Sequence, residues 1–209
     1  MKPIRIALTK GRLLKDAEKI FEGIGYNPSC FHNIGRKLIL EDKENGVEYI
    51  LAKAFDVLTY VDSGACDMGI VGKDVLMELD KEFYEVLDLN IGKCIFALAA
   101  PNNFKMDNGY RRIKIASKYP NVAKAYFHKK GQDVEVIKIN GSVELAPILG
   151  VSDAIVDIVE TGDTLRENGL NVVDKICDIS ARLIVNKASM KINREKIDEI
   201  IGKIEKLNY

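Results

Sequence analysis

Short apolar runs alternate along this chain with stretches whose apolar residues recur at helical spacing, and that alternation restricts the fold more than any other feature. Ile4 to Leu8 reads as a strand, and Leu13, Leu14, Ala17, Ile20, Phe21 and Ile24 then follow helical periodicity. Lys37 to Glu41 and Val47 to Ala52 read as strands joined through a turn at Asn45-Gly46. Phe55 to Ser63 is helical, Met68 to Val71 a short buried strand, and Asp74 to Leu79 the start of a helix. The pattern then repeats in kind. Strands are expected at Cys94 to Ala100, Ile113 to Ala116, Val134 to Ile139 and Ala154 to Val159. Asn121 to Lys129, Val143 to Leu149 and a segment from Leu165 are helical between or after them, and Asn102 to Tyr110 is a surface loop. Val172 to Ile179 and Ala181 to Val185 are apolar segments leading back, and Ile197, Ile200, Ile201, Ile204 and Leu207 line one face of a final helix. Such alternation specifies an α/β protein with largely parallel sheets. No linker rich in Pro, Gly or Ser divides the chain. Two lobes joined by crossing strands near residues 88–95 and 175–185 are therefore expected, with a ligand cleft between them.

Composition removes several function classes. With 209 residues the chain can bury one large core or two small ones, and 47% hydrophobic with 30% charged residues is a globular balance. Lys+Arg and Asp+Glu each total 31, so no global basic field draws the protein to nucleic acid or to a membrane. No apolar run approaches the ~20 residues that span a bilayer. The first residues already read as a strand, with no export signal, so a soluble cytoplasmic protein is expected. Cys30, Cys66, Cys94 and Cys177 form no CxxC pair and read as reduced thiols. The two histidines, His32 and His128, have no metal spacing, which argues against a zinc site or a nucleophile–His relay.

Residues 153–165 carry the most chemistry. The apolar run Ala154 to Val159 is interrupted by Asp157 and passes into Glu160, Thr161, Gly162, Asp163 and Thr164 before Leu165. A strand feeding a hydroxyl- and Gly-containing turn at a helix start offers N–H groups, Thr hydroxyls and a helix dipole to a phosphate. Asp153 and Asp157 precede it as acceptors for sugar hydroxyls, so the stretch reads as a ribose 5-phosphate site, with an ordinary βα turn as the plain alternative. Thr9-Lys10-Gly11-Arg12 sets two cations at a helix start, where each opposes the dipole by about 0.3–1 kcal/mol. That placement fits either an anion site or surface charge, and Arg12 can clamp a phosphate in bidentate fashion where Lys10 cannot. In Asp67 to Asp74, Gly72 and Lys73 form a further Gly turn, which plain close packing of helix on strand also explains. Ser142, in Asn140-Gly141-Ser142-Val143-Glu144, reads as a helix N-cap. Arg36, Lys37 and Lys53 are cations near strand ends.

Thr9-Lys10-Gly11-Arg12-Leu13, Arg36-Lys37-Leu38, Asp67 to Asp74, Gly141 to Pro147 and Asp153 to Leu165, in that order over nearly the whole chain, resemble the ATP phosphoribosyltransferase family of histidine biosynthesis. Cys177 to Ser180 and Arg182 to Asn186 fit it too. The resemblance implies a two-lobed fold similar to type II periplasmic binding proteins, residues 1–90 with 183–209 forming one lobe and 91–182 the other, and the site in the cleft. It implies transfer of the phosphoribosyl group of phosphoribosyl pyrophosphate to N1 of ATP, with Mg²⁺ bound mainly through the substrate pyrophosphate. The chain length looks like the short form. That form implies a homodimer of catalytic chains within a hetero-octamer containing a regulatory subunit similar to histidyl-tRNA synthetase. By resemblance Arg12 and Arg36 are catalytic cations for pyrophosphate departure. Asp153, Asp157, Glu160, Thr161, Gly162, Asp163, Thr164 and Leu165 bind phosphoribosyl pyrophosphate. Lys10, Gly11, Arg12, Gly72 and Lys73 bind ATP, and the direct metal ligands are left open. Two positions depart from the family: Lys53 replaces its usual Arg and loses the planar fork, and Leu58 stands where Pro is common.

The implied chemistry suits this composition. N1 of adenine has a free lone pair, so a chain poor in His needs no strong base. The barrier lies in releasing pyrophosphate through an oxocarbenium-like transition state, a task for cations. Two other classes remain open to the residues alone: another enzyme using the same phosphate turn, such as a sugar-phosphate isomerase or a different phosphoribosyltransferase, and a non-catalytic solute-binding module.

Overall fold

The computed structural model describes residues 2–32, 34–79, 81, 83–106 and 111–207. In chain order the elements begin β1 (Ile4–Thr9), α1 (Arg12–Gly23), β2 (Ile39–Asp42), β3 (Val47–Ala52), α2 (Ala54–Asp62), β4 (Met68–Gly72), α3 (Lys73–Glu78) and β5 (Phe83–Asp88). They continue with β6 (Cys94–Pro101), β7 (Ile113–Ser117), α4 (Pro120–Lys129), β8 (Val134–Lys138), α5 (Leu145–Ile148), β9 (Ala154–Val159) and α6 (Asp163–Glu167). The last are β10 (Leu170–Ile179), β11 (Ala181–Asn186), α7 (Ser189–Ile192) and α8 (Arg194–Glu205). Within the expected loop 102–110, Asn102 and Asn103 form a turn, and 107–110 lie outside the described residues.

Two compact units result. The first comprises Met1–Leu76, Asp80–Gly92 and Ser180–Tyr209; the second comprises Met77–Leu79 and Lys93–Ile179. The junctions expected from sequence stood at 90/91 and 182/183. Backbone bonds from Leu89 N–H to Ala181 O (2.9 Å) and from Ala181 N–H to Ile91 O (2.9 Å) draw Ile91 and Ala181 into the first unit.

The sheets are mixed, which corrects the expectation of largely parallel pairing. The first unit has the order β2-β3-β1-β4-β11-β5 and the second β10-β6-β9-β7-β8. Among the described residues only β1 with β3 and β4, and β7 with β8 and β9, pair in parallel. Helices α2, α4 and α5 join β3 to β4, β7 to β8 and β8 to β9, and β1 reaches β3 through α1 and β2; crossovers of this kind bring strands back in the same direction. Strands β11 and β6 are reached from the other unit without such a crossover, and both pair antiparallel to their neighbours. The orders β3-β1-β4-β11-β5 and β8-β7-β9-β6-β10 are one pattern: second, first and third strands of a βα run, then a crossing strand, then an edge. No sequence repeat betrays this duplication.

Strand β5 escapes sequence reading. Both its faces are partly exposed, so it carries no apolar alternation. The first core buries Ile6, Leu8, Phe21, Tyr49, Met68 and Ile70 under α1 and α8, whose Ile197, Ile200 and Ile204 face inward as their spacing specified. Each such fully buried aliphatic side chain contributes about 1.5–3 kcal/mol. The second unit's core around Ala97, Ala99, Ala116 and Ile155 includes Val159 and Leu165. Among the described residues no helix is long and apolar enough to cross a membrane.

Candidate active site

In the first unit the parallel strands β1, β3 and β4 end at one edge of the sheet, the usual place for ligands in open α/β sheets. Three expected segments meet that edge: Thr9 to Gly11, Lys53, and Gly72-Lys73. Lys10 N–H donates to Ala52 O at 2.9 Å, joining the ends of β1 and β3. Gly11 is the N-cap of α1 at φ 101°, a conformation costly for any residue with a Cβ. It supplies no side-chain cap, and the first turn of α1 holds no acid. Lys10, Gly11 and Arg12 are exposed there. Lys53, extended and exposed, is the N-cap of α2. Leu58 is fully buried in α2, so the departure there is a packing residue. Arg36 is exposed in the turn before β2. Lys73 is engaged: its ammonium lies 2.5 Å from Glu85 Oε2.

In the second unit β7 and β8 end together at Ser117 and Lys138, and β9, whose Val156 pairs with Ser117, runs three residues further to Val159. Here the chain makes the expected turn, with Gly162 left-handed at φ 77° and capping α6. Helix α6 has only five residues. Its attraction for an anion therefore rests on N–H groups and hydroxyls rather than on a macrodipole, which needs several aligned turns. Thr161 Oγ1 donates to Asp163 Oδ2 at 2.6 Å and accepts from Asp163 N–H at 3.3 Å. Asp163 also pairs with Arg166. The Thr161 hydroxyl and then Arg166 hold this carboxyl below its usual range. Arg166 further donates to Thr161 O at 3.2 Å. It is the turn's own cation, and the sequence reading passed over it; its signal was the three-residue spacing from Asp163 on a helix face.

Other expected residues divide. Asp157 is half-buried in β9, opposite Ala97, and its Oδ1 accepts Ile158 N–H at 2.8 Å. Glu160, Thr161, Asp163 and Thr164 are exposed at the turn. Leu165 is 5% exposed and belongs to the core with Val159 and Ile155, so only its backbone is available to a ligand. Asp153 is not brought to the turn. It precedes β9, whose six residues span about 20 Å at ~3.3 Å each. Its carboxylate accepts Lys114 N–H at 2.8 Å and pairs with Arg111. A single ribose phosphate cannot touch both ends of β9. Ser142 is not the cap expected of it: α5 starts at Leu145 with Glu144 as N-cap. His32 and His128 are exposed, the first just after the 3₁₀ turn Pro28–Phe31 and the second in α4. Among the described residues no three His, Cys, Asp or Glu side chains are grouped to hold a metal.

Two α/β units that share a five-strand order, each presenting a glycine turn beyond its parallel strands, have the fold of type II periplasmic binding proteins. The likeness extends to the periplasmic aliphatic sulphonate binding protein of Escherichia coli, at TM-score 0.61 and 12% identity, covering 99% of this chain and 72% of that one. Among solved structures the chain also resembles the ATP phosphoribosyl transferase (HisG:HisZ) complex from Thermotoga maritima, at TM-score 0.84 and 33% identity over 97% of this chain and 96% of that one. The family model for ATP phosphoribosyltransferase (HisG) matches residues 53–206. The ATP phosphoribosyltransferase of Clostridium acetobutylicum is 62% identical over 100% of this chain and 96% of its own length. That of Clostridium botulinum is 63% identical over 99% of each. The chain belongs to the ATP phosphoribosyltransferase family, transferases that catalyse the first step of histidine biosynthesis.

Proposed function

We propose that this chain transfers the phosphoribosyl group of phosphoribosyl pyrophosphate to N1 of ATP, releasing pyrophosphate. The turn from Glu160 to Thr164 holds the 5-phosphate of phosphoribosyl pyrophosphate through the Thr161 and Thr164 hydroxyls and the N–H groups up to Leu165. Asp157 and Glu160 take the ribose hydroxyls; Asp153 is left to its structural role. Arg12 and Arg36 draw off the pyrophosphate, and Lys10, Gly11, Gly72 and Lys73 receive ATP. The observation that carries this reading is the pair of positive-φ glycines, Gly11 and Gly162, each where parallel strands end beside hydroxyls or cations.

N1 of the adenine attacks C1 of the ribose as the bond to pyrophosphate breaks. The leaving group takes the electron pair, and the cations stabilise its charge. Fixing the 5-phosphate holds the ribose for in-line attack. Mg²⁺ would be held mainly through the substrate pyrophosphate and would supply positive charge to the leaving group, in keeping with its reluctance to shed water for an all-protein cage. The reaction belongs in the cytoplasm. The working assembly is a dimer of catalytic chains within a hetero-octamer with a regulatory subunit, supported by the HisG:HisZ composition of the Thermotoga maritima complex.

The test is pyrophosphate release from phosphoribosyl pyrophosphate with ATP against other bases, with and without the regulatory subunit. Release with ATP alone among the bases is expected. No release with ATP in either condition overturns the reading.

A further inference from the structure

Strand β5 carries a β-bulge that the reaction as described does not use. Opposite β11, Arg182 pairs with Asp88 and Leu183 with Leu87, but Ile184 pairs with Glu85, leaving Val86 as the extra residue. In a regular strand Glu85 and Asp88 would point to opposite faces, because side chains alternate. The bulge breaks that alternation, and bulges commonly re-aim side chains beside active sites. Here both carboxylates meet one guanidinium: Arg182 pairs with Asp88 and, at 3.3 Å from Nε, with Glu85 Oε1. Asp88 is fixed by the Ser180 hydroxyl at 2.7 Å and Asn90 N–H at 2.9 Å. Glu85 Oε2 holds Lys73 at 2.5 Å.

One donor in this cluster is unmade. Arg182 Nε is buried and, among the described residues, has no partner at hydrogen-bond geometry, although Glu85 Oε1 stands within ion-pair range. A buried donor left unpaired is costly. Lys73 and Glu85 are each about one-third exposed in their side chains, so an incoming anion can reach the pair. A triphosphate that engages Lys73 competes with Glu85 for it, and Arg182, whose Nε already lies 3.3 Å from Glu85 Oε1, can keep the carboxylate compensated.

We infer that Glu85 is a positioning residue that bridges two cations, Lys73 through Oε2 and Arg182 through Oε1, and that it closes onto Arg182 when Lys73 engages the nucleotide triphosphate. The inference rests on the proposal that Lys73 receives ATP. This exchange moves no covalent bond. It lowers the cost of unpairing Lys73, because the carboxylate keeps its second cation instead of being stranded.

Arg182→Lys keeps a cation for Asp88 and removes the Nε–H seat. It is expected to weaken ATP binding by about two- to fivefold, the range of a partly exposed ion pair, leaving kcat and KM for phosphoribosyl pyrophosphate unchanged. Glu85→Gln releases Lys73 and is expected to tighten ATP binding modestly by itself and to restore affinity when combined with Arg182→Lys. ATP affinity by calorimetry, KM against kcat by pyrophosphate release, and thermal midpoints measure this. A purely structural role for Arg182 would lower the midpoint and would not be rescued by Glu85→Gln. If Arg182→Lys fails to fold, Glu85→Gln alone decides, and unchanged or weakened ATP binding overturns the exchange. Lys73→Met separates the two readings. If it leaves ATP affinity unchanged, the assignment of Lys73 to ATP falls and the exchange with it. If it weakens ATP binding while Glu85→Gln does not rescue Arg182→Lys, only the exchange falls.

Discussion

Arg12 and Thr161 illustrate how a single exposed side chain is tested without disturbing the fold. Arg12 opens α1 at the surface, so Arg12→Ala is expected to leave the thermal midpoint in place. Turnover should fall by about 10²–10³, the usual loss when one charge-stabilising group is removed. Unchanged turnover would remove Arg12 from pyrophosphate departure. Thr161→Ala deletes the hydroxyl bonded to Asp163. It should weaken phosphoribosyl pyrophosphate binding about ten- to hundredfold, the worth of one hydrogen bond to a charged group, while the ATP KM stays put. Tyr49 makes a contrasting case. Its ring lies 4.8 Å from both Phe21 and Phe31, yet its hydroxyl is buried without a partner among the described residues. Tyr49→Phe should therefore stabilise the fold by up to ~1 kcal/mol and raise the denaturation midpoint, since an unsatisfied polar atom is removed and the ring packing kept.

Elements show why chemistry-bearing residues had to be sorted by position rather than by type. The strand-turn-helix at 154–165 was legible because its apolar run, its Gly and its Thr pair are local. The sequence did not separate Asp153 from Asp157, two carboxylates of one kind flanking the same strand. Strand rise separates them, and the Arg111 and Lys114 contacts of Asp153 are long-range. Leu165 is the same lesson from the apolar side. It closes the motif but packs in the core. Leu165→Ala is expected to cost about 2–5 kcal/mol, as large-to-small core changes do. In urea its midpoint should drop, while the ATP KM of the folded enzyme is unaltered. A drop in phosphoribosyl pyrophosphate affinity with no loss of stability would contradict the packing role.

For the whole molecule, the charge balance hides a sign pattern with a consequence for pH. The Asp88 carboxyl is raised by burial but lowered further by Asn90 N–H, the Ser180 hydroxyl and Arg182, so it ends below its usual range. Asp163 is lowered by Thr161 and Arg166, Asp174 by Lys130 and Tyr126, and Glu199 by Lys203. Each binds its proton less tightly folded than unfolded. Their contribution is complete above the unfolded values near pH 4 and is lost as pH falls through the lower folded ones. Glu78 runs the other way. Burial outweighs the Val122 and Asn121 N–H groups that it caps at the start of α4, so its carboxyl is raised and offsets part of the loss. The urea midpoint should fall between pH 5 and pH 3 and stay nearly flat from pH 6 to pH 8. A midpoint that rises on acidification would contradict the pattern.

The sequence by itself determined the α/β class, the helical faces of α1 and α8, the order of the glycine turns and the family, because periodicity and turn chemistry are properties of neighbouring residues. It also marked Lys10, Arg12, Thr161 and Gly162 as residues of one chemistry. Only the tertiary structure decided strand direction, the shared topology of the two units, and the partners of Asp153, Lys73, Arg166 and Arg182. Pairing register and ion-pair choice depend on residues distant along the chain, and their energies come from burial and geometry that local sequence does not encode.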